Sequence, residues 1–368
     1  KRPFTAGRRQ QKKYWAMNLK NQPWLSSARI DSLFILFPAI LPLIMITLFP
    51  GYFDRQTSVT SVWWVILVLN IDVAHVYSTL FRFYWDKDAF RQYKTHLIVI
   101  PVVAFILGTV LHYIDGMLFW RILAYVAVFH FVRQQFGFMR LYSRKDPYNK
   151  FERIIDSAAI YSATLYPLVY WHMYYIDQFN WFVKGDFVSI PDTLAPVFTI
   201  LYVIIAMLYV AKEVIASIKT GRFNVPKNAL LAGTYISWYV GIILFKGDLI
   251  FTMLNVIAHG IPYMALVYIY GEKKNKEAFK FPWRSVAVFV VTISALAYFE
   301  EGLWDAFVWG DHPDVFPLTG NIHASTAPWM SVIVPLLALP QIMHYVLDGF
   351  IWKVSKEKNV IDERISVG

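Results

Sequence analysis

Nine histidines and no cysteine set the terms for any metal or redox chemistry in this chain. Without thiols, thiolate zinc sites, iron–sulfur clusters and cysteine nucleophiles are excluded, leaving imidazole, carboxylate, amide and phenol as ligands. His96, His112 and His172 lie near the ends of apolar stretches, and His312 and His323 in a polar loop, where interface and loop roles suffice. His75, His130, His259 and His344 fall inside long apolar stretches. Ionisable side chains are costly there, so these four are candidate metal ligands.

Each of the four has a polar companion about one helical turn away. Asp72 precedes His75 by three, Gln134 follows His130 by four, Asn255 precedes His259 by four, and Asp348 follows His344 by four. Such spacings put both groups on one helix face, where the companion either ligates or holds the second ring N–H of a histidine. Tyr263, one turn after His259, and Arg133, three beyond His130, share those faces. Asp72, Asp348 and Tyr263 are therefore candidate catalytic residues, and Asn255, Gln134 and Arg133 candidate cofactor-binding ones. Arg133 needs a buried anion, for which Asp72 or Asp348 is available. Neutral imidazoles with carboxylates suit iron, zinc or copper, and open positions beside them suit non-haem iron and dioxygen. A haem would instead use facing histidines as axial pairs. The plainer alternative is that these polar residues only hydrogen-bond helices together, as in many membrane bundles.

The elements that must position these groups follow from composition. The 368 residues are 57% hydrophobic and 16% charged, against about 25% charged in a soluble domain. Mean hydropathy is +0.43. Apolar stretches near 33–52, 60–84, 96–114, 117–138, 155–177, 193–216, 228–246, 248–270, 282–303 and 328–352 predict an all-α polytopic transmembrane bundle of about ten spans. With both termini in the cytoplasm, inside segments hold 30 of the 35 basic residues, as the positive-inside rule requires. The longest loop, 304–327, has no Lys or Arg and reads as outside. The four histidine-bearing spans then all run inward, with their histidines 7, 10, 14 and 9 residues before the next cytoplasmic basic residue. At about 1.5 Å per residue they share one layer, roughly 10 to 20 Å deep.

Residues 1–32 read as a basic amphiphilic cytoplasmic arm, with Tyr14, Trp15 and Trp24 at the lipid surface, 33–352 as the transmembrane domain, and 353–368 as a basic tail. No signal peptide is visible, and the expected location is a bacterial inner membrane. The net charge of +10 belongs to cytoplasmic loops and calls for no nucleic-acid partner. Walker-type loops, H-E-x-x-H helices, G-x-S-x-G elbows and paired His-His runs are all missing.

At the histidine segments the chain resembles the Brp/Blh family, integral-membrane β-carotene-cleaving dioxygenases. The run Ala338 to Asp348, containing Pro340, His344 and the trailing Asp348, is similar to that family's late Pro-His motif. Asn70 to His75 approximates its early histidine motif, Phe129, His130 and Phe131 its second, and Ile257 to Gly260 its third. The early Pro-His-Gly run is absent, and Tyr263 stands where the family has a further histidine. The resemblance implies an iron held by His75, His130, His259 and His344, acting with dioxygen on a long apolar substrate.

Two functional expectations result. The first is a membrane-embedded, histidine-ligated oxidoreductase, with non-haem iron, acting on a carotenoid, isoprenoid or other lipid through a tunnel lined by Phe81, Phe83, Tyr84, Phe136 and Phe138. The second is a non-catalytic or haem- or pigment-carrying subunit of a larger membrane complex, distinguishable by its visible absorption spectrum.

Overall fold

The computed structural model describes residues 22–53, 58–174, 180–245, 247–275, 282–317 and 329–351. Residues 1–21 of the basic arm, with Tyr14 and Trp15, lie outside that set, as do His323 and the tail 353–368. The described residues are helical, with no strand.

Among the described residues twelve helices of eight or more residues follow one another: α1 (Ala28–Ala39), α2 (Leu41–Leu48), α3 (Ser61–Tyr84), α4 (Lys87–Ile114), α5 (Gly116–Tyr142), α6 (Lys150–Tyr174), α7 (Asp192–Thr220), α8 (Val225–Tyr239), α9 (Asp248–Lys274), α10 (Pro282–Trp309), α11 (Met330–Leu337) and α12 (Leu339–Ile351). Each expected apolar stretch carries helix. Six helices are long and apolar enough to cross a membrane, α3, α4, α5, α7, α9 and α10, and eight spans result if α1 with α2 and α11 with α12 each count as one bent span. The two bends are 53° and 40°. Pro42 in the first turn of α2 and Pro340 in that of α12 suit those breaks, because proline lacks an N–H and is tolerated at a helix start.

Burial sorts the helices by role. In its most apolar stretch α9 is 83% buried, whereas α4 and α7 are each 11% buried. The central helix is therefore α9, and α4 and α7 present their apolar faces outward, as lipid contact requires. Close approach to α9 depends on Gly260, where an added Cβ would meet Ile71 Cγ2 at 2.8 Å and the Ile71 carbonyl oxygen at 2.9 Å. Within α9, Pro262 supplies no N–H to the Ala258 carbonyl four residues back. That carbonyl instead accepts from Gln135 Nε2 at 3.4 Å, and Thr234 donates to Gln135 Oε1 at 3.0 Å.

At the lysine- and arginine-rich end, charged side chains lock the helices. Lys212 pairs with Asp156 and Glu213, and Lys227, fully buried, pairs with Glu213 at 2.6 Å and Asp146 at 3.1 Å. The segment before α1 docks here too. Asp31 accepts from the backbone N–H of Leu25 at 2.5 Å and Ser26 at 2.9 Å, and from the Tyr142 hydroxyl at 3.1 Å. Trp24, expected at the lipid surface, packs instead against the core beside fully buried Leu25. At the opposite end, Asp186 Oδ2 accepts from the N–H groups of Trp181, Phe182 and Val183. Burial raises the Asp186 carboxyl above its ordinary pKa, while these bonds pull against the shift. The longest loop begins later than expected, because α10 continues through Asp305–Trp309 as a wide π turn that ends at Gly310 with φ 65°.

Candidate metal centre

Four helices deliver the four buried histidines to one point: α3 brings His75, α5 His130, α9 His259 and α12 His344. None is more than 2% exposed, and one ligand atom from each lies within 4.8 Å of all the others. The Nε2 atoms face inward: His75 to His259 is 3.1 Å, His259 to His130 is 2.9 Å, and His130 to His344 is 3.1 Å. Going round His75, His259, His130 and His344, neighbouring ring centroids are 4.7, 4.7, 4.5 and 4.6 Å apart and steeply inclined to one another. The opposed His75 and His130 rings are 6.3 Å apart and nearly parallel, at 10°. A regular tetrahedral set would make these separations equal, so His75 and His130 stand opposed across the group with His259 and His344 between them.

The outward nitrogens bear on where the lone pairs point. His75 Nδ1 donates to the Ile71 carbonyl at 3.2 Å, His344 Nδ1 meets Thr79 Oγ1 at 2.7 Å, and His130 Nδ1 lies 3.1 Å from Asp348 Oδ2. The Ile71 carbonyl can only accept, so it places the His75 proton on Nδ1 and leaves its Nε2 free to ligate, and Thr79 and Asp348 offer oxygens on the outward side of His344 and His130. Neither His130 Nδ1, for all its closeness to Asp348, nor His259 Nδ1 forms a hydrogen bond among the described residues, and the His259 ring is fixed by stacking on Phe131, with centroids 3.6 Å apart at 10°. A His75 ring protonated on Nδ1 has no proton to give from Nε2. Imidazole nitrogens brought within about 3 Å of one another and 4.8 Å of all the others can share one cation at the usual metal–imidazole distance of about 2.0–2.1 Å. The donor set thus fits a single metal ion. It leaves no room for a porphyrin between opposed histidines.

The companions occupy different places from those the spacing suggested. Asp348 serves His130 on the neighbouring helix, not His344 on its own. Asp72 is 3.8 Å from His75 Nδ1, which the Ile71 carbonyl already engages. Gln134 donates to the His259 backbone carbonyl at 2.8 Å, tying α5 to α9. Asn255 donates to the Phe251 carbonyl at 2.9 Å and touches no histidine ring. The Tyr263 hydroxyl bonds Thr79 Oγ1 at 3.1 Å, so it reaches His344 through Thr79. Arg133 makes no ion pair with Asp72 or Asp348 among the described residues. Its guanidinium donates to the Tyr161 hydroxyl at 2.5 Å and lies 4.8 Å over the Phe136 ring.

Sequence reading missed Thr79, whose signal was its place four residues after His75, and the buried carboxylates Glu300 and Glu301 near the end of an apolar stretch. It also misplaced the approach to the site. Phe83 and Phe138 are fully buried in the core, Phe81 and Tyr84 pack against it, and Phe136 stacks on Tyr161. The cavity that reaches the ring, about 260 Å³, starts from Asp311 and His312 at the opposite end of the bundle and ends on His75, Phe131 and Tyr345.

Comparison of the chain with protein-family models, curated proteins and solved structures finds no match.

Proposed function

We propose that the chain is a membrane-embedded oxidoreductase in which His75, His130, His259 and His344 hold a non-haem iron that acts with dioxygen on a lipid, isoprenoid or carotenoid. The observation that carries this reading is the convergence of four buried histidines on one point, with successive Nε2 atoms 2.9–3.1 Å apart from His75 through His259 and His130 to His344 and with His75 on a cavity. A donor set of neutral imidazoles without thiolate suits iron, and the cavity on His75 would give a substrate access to it. An iron there would supply dioxygen binding and one-electron chemistry. The protein's own part is to exclude water and orient. Tyr263, Thr79 and Phe131 wall the ring with buried side chains, and the Ile71 carbonyl keeps a proton on the outward nitrogen of His75.

The ten-span topology with both termini cytoplasmic belongs to the same proposal, as does a bacterial inner-membrane location. It is supported by helix on all ten stretches and by the confinement of basic residues to one set of loops. The resemblance to the Brp/Blh dioxygenases points the same way at the ligands, while the cavity's volume limits how much of a long polyene can enter.

Elemental analysis of the purified full chain tests the reading. About one iron per chain is expected, with depletion in each of the four His→Ala variants and oxygen uptake in the presence of a lipid substrate and reductant. Metal-free wild-type protein, or equal metal content in all four variants, would return the histidines to a packing role.

A further inference from the structure

The wall chemistry of the cavity beside the ring narrows what it can admit. Its lining includes the indoles of Trp64, Trp120, Trp304 and Trp309 and the carboxylates of Asp72 and Glu301, and no Lys or Arg. Three of these indoles form one cluster, with Trp120 to Trp309 at 5.4 Å, Trp304 to Trp309 at 5.7 Å and Trp120 to Trp304 at 6.0 Å. Glu301 is only 9% exposed, yet among the described residues it has no hydrogen-bond donor or cationic partner.

We propose that this cavity binds an organic ammonium group, so that the substrate brought to the histidine ring carries a cationic amine head. Indole faces attract a cation within about 6 Å through the ring quadrupole, and the attraction grows when the site is desolvated. A buried carboxylate without a partner is costly, and an ammonium ion supplies that partner. An inorganic cation is less suited, because calcium or magnesium needs several oxygens converging at about 2.0–2.6 Å. Among the described residues the one converging ligand group is the four histidines, which offer nitrogens rather than oxygens. Size agrees as well: at about 260 Å³, the cavity falls below the ~300–1,000 Å³ of pockets that bury drug-sized ligands. It holds a head group, with the rest of an amphiphile left outside.

This inference rests on the metal-centre reading only for what the ammonium group is brought to. The test uses the full chain in nanodiscs, with metal content measured on the same samples. Radiolabelled choline should bind saturably by scintillation proximity and be displaced by tetramethylammonium. Its neutral isostere 3,3-dimethylbutan-1-ol should not displace it at the same concentrations. Glu301→Gln should weaken binding by about tenfold or more, equivalent to ~1.4 kcal/mol, with metal content unchanged. Trp64→Leu, on the wall, should weaken it too and serves if Glu301→Gln fails to fold. Absence of saturable binding in fully metallated protein, or equal displacement by the neutral isostere, would overturn the proposal. Choline binding to metal-free wild-type protein would uphold the ammonium site while defeating the metal reading, so the two failures are distinct.

Discussion

At the scale of single residues, the groups behind the imidazoles decide how well the ring holds a metal. Thr79 Oγ1 is hydrogen-bonded to His344 Nδ1 at 2.7 Å, and Asp348 faces His130 Nδ1 at 3.1 Å. Loss of such partners typically costs about 10- to 100-fold in metal affinity or activity. Thr79→Val, which keeps shape and removes the hydroxyl, is therefore expected to release metal to a competing chelator at least about tenfold more readily than wild type. Asp348→Asn should do the same, while Asp72→Asn should have a smaller effect, since Asp72 sits 3.8 Å away and the Ile71 carbonyl already holds His75. If the Asp72 and Asp348 variants rank the other way in chelator competition, the partner assignments are wrong. Acid should empty the site as well, because protons compete with metal for neutral imidazoles.

Among the elements, the contact of α9 with α3 does most to bring His259 to His75. Gly260 follows His259 directly, and the Ile71 carbonyl it touches is the same oxygen that orients His75. A methyl group there must push the two helices apart. Overpacking of this kind costs about 1–3 kcal/mol, so Gly260→Ala is expected to lower both the thermal midpoint and the metal content. Gly349→Ala is the control, because an added Cβ there meets nothing within 4 Å. Equal behaviour of the two variants would mean that the helix contact does not set the ring. At the other end, Lys227→Met takes one of two cations from Glu213 and Asp156, which keep Lys212, and removes the lysine from Asp146. Breaking a buried pair costs about 3–5 kcal/mol. That variant should unfold at lower temperature yet keep its metal when folded, since no histidine contacts the network. Metal loss without loss of stability would contradict this separation.

For the whole molecule, the charge pattern and the cavity assign opposite roles to the two ends. Reporter fusions after Lys94, Lys150 and Lys227 should report cytoplasm, and a fusion near Asp311, at the cavity mouth, should report the other side. Two or more reversals would invert the expected approach of substrate and dismantle the topology.

Helical class, apolar stretches and the four ligand candidates were legible in the sequence, because lipid exposure demands long apolar runs and makes each buried histidine conspicuous. Even the common layer followed from counting residues at a fixed rise per residue. Side-chain partnership was not legible. A residue one turn from a histidine on the same helix sits at a different height, and in a closed ring of helices it meets the neighbour's imidazole. Asp348 therefore reached His130, and Thr79 on α3 reached His344. Arg133 turned to Tyr161 because rotation of α5 about its own axis, which no local pattern sets, decides which face looks inward. The opposition of His75 and His130 across the group and the side from which a cavity reaches it belong to the packing of four helices at once. Periodicity along one helix carries information about its own faces, whereas the distances and angles between helices arise only when ridges, glycines and prolines of different helices meet.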